Sequence, residues 1–119
     1  MSKIVQAVNS IISNPDDIGP MIQGSRREIY FIYKKKYKWS VRRDHDGEIY
    51  LQYYPGEQSI EQLAGFESYE WDDVDTVSYS SKEIGTREAI SSFTELYTLL
   101  VERWFKVNEV LDDIIDDIL

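Results

Sequence analysis

No cysteine occurs in the chain. Disulfides and thiolate zinc sites are therefore excluded, and the composition fits a reducing compartment. There is one histidine, His45. It stands in Asp44-His45-Asp46-Gly47, where Asp-Gly predicts a tight hairpin turn, and no serine is spaced to form a Ser-His-acid system with it. The same stretch, extended to Glu48, has some of the composition of a calcium loop but neither its ligand spacing nor its flanking helices. Glycine loops of the Walker or dinucleotide-binding kind are missing too. No apolar run approaches the roughly 18 residues of a membrane span. Met1-Ser2-Lys3-Ile4-Val5 is too short and too polar for a signal peptide. These absences point to a cytoplasmic protein with no membrane association, no cofactor, no metal centre and no catalytic residues.

What is present describes one globular domain. Its 119 residues allow one core and not two. Hydrophobic residues reach 42% and charged residues 29%, and nine Tyr and three Trp supply bulky apolar surface. The net charge is −9 and is unevenly placed. Residues 1–43 hold nine Lys/Arg against three Asp/Glu, whereas residues 44–119 hold four against nineteen. Such segregation implies oppositely charged surfaces or a charged partner.

The hydrophobic periodicity predicts an α+β fold. Ile4, Val5, Ala7, Val8, Ile11 and Ile12 recur at helical spacing over 3–13, and Asn14-Pro15 ends that helix. Ile18 to Ser25, with Gly19-Pro20 and Gly24, reads as a loop. Three strands follow, over 28–33, 37–42 and 48–54, joined by Lys34-Lys35-Lys36 and by the Asp-Gly turn. A fourth, edge strand is expected at 76–80, giving an antiparallel meander of three to four strands. Tyr37, Trp39, Val41, Ile49, Leu51 and Tyr53 are its predicted core face. Ser59 and Gln62 have capping-box spacing for a short helix.

A long C-terminal helix packed on the sheet is the strongest signal. Thr86 is a good N-cap. Ile90, Phe93, Tyr97, Leu100, Trp104, Val107, Leu111, Ile114 and Ile118 recur at steps of three and four. Unbroken to Leu119, the helix would be about 50 Å long, against a domain diameter of about 35 Å. It must overhang, bend or break, and Lys106-Val107-Asn108 is the expected break. Overhang would expose Leu111, Ile114, Ile115 and Ile118 for a homodimer or another partner.

Two acidic clusters are the candidate binding residues. Glu67, Glu70, Asp72, Asp73 and Asp75 surround Trp71, which reads either as a mixture of carboxylate and aromatic suited to a basic partner site or as an irregular loop whose Trp71 plugs the core. Asp112, Asp113, Asp116 and Asp117 crowd a helix C-terminus, where the macrodipole disfavours anions. Their i, i+4 spacing allows weak Mg²⁺ or Ca²⁺ chelation, and a metal-assisted or paired-carboxylate hydrolase is the least favoured alternative for the acidic clusters. The basic strand residues alternate with Tyr30, Tyr33 and Tyr37, as in single-strand nucleic-acid binders. A net charge of −9 opposes that partner. The expectation is a small acidic binding protein of the immunity or inhibitor type. Its partner would be a protein with a basic surface, such as a toxin or nuclease domain, whose active site it covers.

Overall fold

The computed structural model describes residues 2–116. At its centre is an antiparallel sheet whose spatial order follows the chain: β1 (Ile18–Gln23), β2 (Ile29–Tyr33), β3 (Tyr37–Arg43), β4 (Ile49–Tyr53) and β5 (Val77–Ser80). The class is α+β as expected, but the sheet has five strands rather than three to four. The extra one is β1, which runs through the Gly19-Pro20 stretch that reads as a loop in the sequence. It is an edge strand that pairs only with β2, and its register shifts between Ile18 and Met21, around Pro20. Proline lacks a donor for the ladder and is tolerated at just such an edge or bulge.

Both faces of the sheet are covered. On one, Ile29, Phe31, Tyr33, Val41, Ile49 and Leu51 pack beneath α1 (Lys3–Ser13) and α4 (Arg87–Phe105), which contribute Val8, Ile11, Phe93, Leu96 and Leu100. On the other, Tyr30 and Tyr54 pack with Ile60 and Leu63 of α2 (Ile60–Ala64), flanked by Phe66, Trp71 and Val74. β2 is therefore enclosed from both sides, which is why Ile29–Tyr33 shows no polar alternation.

The helices cover the middle of the first face and leave one corner open. Val41, Ile49 and Leu51 are buried, and Trp39 and Tyr53 are half-buried. Tyr37, expected in the core, is 38% exposed because it starts β3 at the uncovered end.

Local capping explains the helix starts. Ser2 accepts from the Val5 amide, and Thr86 from that of Ala89 at 3.1 Å. Ser59 and Gln62 form the reciprocal capping box. A further turn, α3 (Ser81–Ile84), had no counterpart in the periodicity; it is capped by Ser80 and ended by Gly85 at φ 74°. The buried stripe of α4 is Ala89, Phe93, Leu96 and Leu100, while Ile90 is 46% exposed. The heptad seam is displaced at its start because α4 also packs on α1, where buried Ser92 donates to Asn9 Oδ1 at 2.7 Å.

The long helix breaks where expected. α4 ends at Phe105, Lys106 takes the left-handed conformation (φ 55°, ψ 42°), and α5 (Val107–Asp116) leaves in a new direction. The molecule measures 54 × 33 × 29 Å. Among the described residues, no helix is long and apolar enough to cross a membrane.

Candidate functional site

α5 buries nothing. Val107 is half-buried, and every later described residue of the helix is exposed. Val110, Leu111, Ile114 and Ile115 fall at i, i+1, i+4 and i+5, which places them on one stripe. They are 54%, 49%, 55% and 55% exposed, and Phe105 just before the break is 61% exposed. Full burial of a Val, Leu or Ile side chain contributes roughly 1.5–3 kcal/mol, so this stripe holds much unrealised burial. Glu109, Asp112, Asp113 and Asp116 accompany it, and α5 contains no Lys or Arg. Asp117 and Ile118 lie outside the described residues.

The second cluster sits on the opposite side of the sheet from α4. Its acids ride on a 3₁₀ segment, Ser68–Asp73, held by Glu70 N–H donating to Glu67 O at 3.0 Å and Val74 N–H to Trp71 O at 3.1 Å. Glu67, Asp72, Asp73 and Asp75 are exposed and Glu70 is half-buried. Trp71 turns inward. Its ring centre lies 5.6 Å from that of Phe66, 5.9 Å from that of Tyr54 and 6.5 Å from that of Tyr30. Tyr69 is the exposed aromatic of this segment, at 74%. The two acidic clusters thus form separate patches and not one surface.

Beneath Trp71 lies a polar network that the sequence pattern did not reveal. Ser40 Oγ donates to Glu28 Oε2 at 2.6 Å and is 2.7 Å from the Tyr54 hydroxyl. The Tyr30 hydroxyl donates to Glu28 Oε1 at 3.2 Å, and Tyr54 to Gln52 Oε1 at 3.0 Å. Burial first, then the Glu28 charge, pushes both tyrosines well above the usual phenol range, so their hydroxyls keep their protons. The signal was the polar set Lys38, Ser40 and Arg42 alternating with Trp39 and Val41. That alternation suggests a solvent face, yet α2 and Trp71 cover it.

Among the described residues, no basic residue of the strands forms an ion pair with an acid. Lys38 Nζ donates to Gly56 O and to Gln58 O, binding down the loop after β4. Arg42 lies 4.2 Å from the Tyr50 ring centre, Arg43 5.1 Å from that of Tyr97 and Lys36 4.9 Å from that of Tyr37. Among the described residues the ion pair is Lys82–Asp46, at 3.6 Å and largely exposed.

Asp44, Asp46 and Glu48 converge within 4.8 Å of one another. They behave as turn-formers: the Glu48 amide donates to Asp44 Oδ1 at 3.1 Å and Asp46 Oδ1 at 3.2 Å, and Gly47 takes φ 89°. The open sheet corner forms a groove of about 540 Å³ along α1, lined by Tyr37, Trp39, Tyr53 and Tyr79. No protein-family model, curated protein or solved structure matches this chain significantly, so its functional reading rests on these surfaces alone.

Proposed function

We propose that this protein is a small acidic binding module of the immunity or inhibitor type, with α5 as its principal contact element. The single observation that carries the reading is a ten-residue amphipathic helix with no buried residue, apolar along one stripe and purely acidic elsewhere in its charge. An apolar stripe supplies the desolvated centre of an interface. Flanking carboxylates select a partner of opposite charge and speed its approach. A nucleic-acid-processing toxin fits this description, because its active site is lined by Lys and Arg to hold phosphates. Carboxylates laid across such a site exclude substrate by occupying the same cations.

A second copy of the chain is the less favoured occupant. Pairing two α5 helices would bring together carboxylates with no basic residue on either helix to offset them.

The test is capture from the source cells by the tagged protein, run beside the Leu111→Asp/Ile115→Asp variant. The expected result is one basic protein retained by wild type and lost with the variant. An acidic partner, equal retention by both proteins, or a concentration-dependent dimer with no other partner would overturn the reading.

A further inference from the structure

Glu28 directly precedes β2, and Arg42 follows Val41, the partner of Ile29. The two side chains therefore leave neighbouring strands on the same face of the sheet. Opposite charges so placed ordinarily pair. Here they do not: among the described residues the ion pair is Lys82–Asp46. Glu28 instead accepts from two neutral hydroxyls, Tyr30 at 3.2 Å and Ser40 at 2.6 Å, and has no cationic partner in direct contact among the described residues. The Arg42 guanidinium rests over the Tyr50 ring and has no hydrogen-bond acceptor among the described residues.

A cavity of about 450 Å³ is lined by both groups. Gln52 and Ser78 add polar atoms to it, and Phe66 and Trp71 supply an apolar wall. Its size lies within the range of small-molecule sites. A carboxylate and a guanidinium, each held by its own neighbours and facing one cavity, match a ligand that carries both charges. Each would then make a charge-assisted contact that the protein alone does not provide.

We propose that this cavity binds a small zwitterion, an α-amino acid with an apolar side chain. Its ammonium group meets Glu28, its carboxylate meets Arg42, and its side chain lies against Phe66 and Trp71. The residues of this site lie outside α5.

The experiment is an amide NMR titration of the full chain with L-phenylalanine and L-leucine. Phenethylamine lacks the carboxylate, 3-phenylpropanoate lacks the ammonium, and glucose is a neutral polar control. Saturable shifts at Glu28, Arg42 and Gln52 are expected with an amino acid, at millimolar affinity or better. Each charge-deleted analogue should bind at least about 10-fold more weakly, the equivalent of one lost contact. Arg42→Gln should abolish the preference for phenylalanine over phenethylamine. Glu28→Gln, an independent variant should the first misfold, should abolish the preference over 3-phenylpropanoate. The proposal fails if neither amino acid gives saturable shifts, if glucose binds as well, or if a folded variant keeps the wild-type preference.

Discussion

The Tyr54 hydroxyl lies 2.7 Å from Ser40 Oγ, and both side chains are buried. Ser40 is the hinge of the inner network, since the same oxygen also serves Glu28. Ser40→Ala removes the donor to Glu28 Oε2 and the hydroxyl beside the Tyr54 phenol, whose own proton goes to Gln52 Oε1. The expected loss is about 1–3 kcal/mol of folding stability, the usual cost of stranding buried polar groups. Urea unfolding measures it, and a midpoint unchanged from wild type would contradict the network.

The two phenols give the protein an alkaline limit. Their pKa values are raised in the folded state, so folding favours the protonated form. Their stabilising contribution is complete below the unfolded-state pKa of about 10 and is lost as pH rises beyond it. The urea midpoint should hold steady up to about pH 9 and fall thereafter. Tyr54→Phe should flatten that fall while lowering the plateau. An equally steep fall in a Tyr30→Phe/Tyr54→Phe double variant would assign the limit to other groups.

The readable parts of this fold were those governed by local chemistry. Thr86 and Ser59 announce helix starts because a hydroxyl oxygen satisfies an orphan amide within its own turn. The break near Lys106 follows from length, since a single helix would outrun the domain. What stayed hidden depends on position in the sheet. Pro20 forbids an interior strand but not an edge strand, and sequence alone does not say which strand is outermost. Trp71 in its acidic stretch leaves two readings open, a binding surface or a loop whose ring plugs the core, and the ring fills the second face. Covering that face turns Ser40 from a solvent residue into a buried one. α5 was legible as an amphipathic helix, but whether its stripe meets the sheet or leaves it depends on the angle set at Lys106.

Lys106 itself pays a conformational penalty. A side chain at φ 55° costs about 1–2 kcal/mol relative to the right-handed region, and glycine escapes most of it. Lys106→Gly is expected to raise the melting temperature slightly, because the extra unfolded-state entropy of glycine, about 0.4–1 kcal/mol, offsets part of the relieved strain. Lys106→Val should lower it, because β-branching makes this conformation harder still. A glycine variant less stable than wild type would mean that the lysine side chain stabilises the break through contacts of its own.

Trp71 and its acidic neighbours should separate cleanly. Trp71→Ala removes a ring packed against Phe66, Tyr54 and Tyr30 and should cost about 2–4 kcal/mol, below the full-burial range because the ring is only half-buried. Thermal unfolding reads this loss, and an unchanged melting temperature would show the ring to be dispensable to the core.

The exposed acids of that segment carry charge without packing, so neutralising them addresses association alone. Glu67→Gln/Asp72→Asn/Asp73→Asn/Asp75→Asn should leave the melting temperature within about 1 °C of wild type, as surface substitutions away from contacts do. With a basic partner, its association rate should drop by about 10-fold at low salt, and its salt dependence should flatten because long-range attraction has been removed. The dissociation rate should change little if α5 forms the desolvated contact, since charges outside the contact act on encounter and buried apolar anchors on residence time. Leu111→Asp/Ile115→Asp should show the converse, with dissociation accelerated and association nearly preserved. Stopped-flow measurements at several salt concentrations distinguish the two effects. If the acid variant instead dissociates faster at an unchanged association rate, the Trp71 side of the sheet is the seat of the interface and α5 is not.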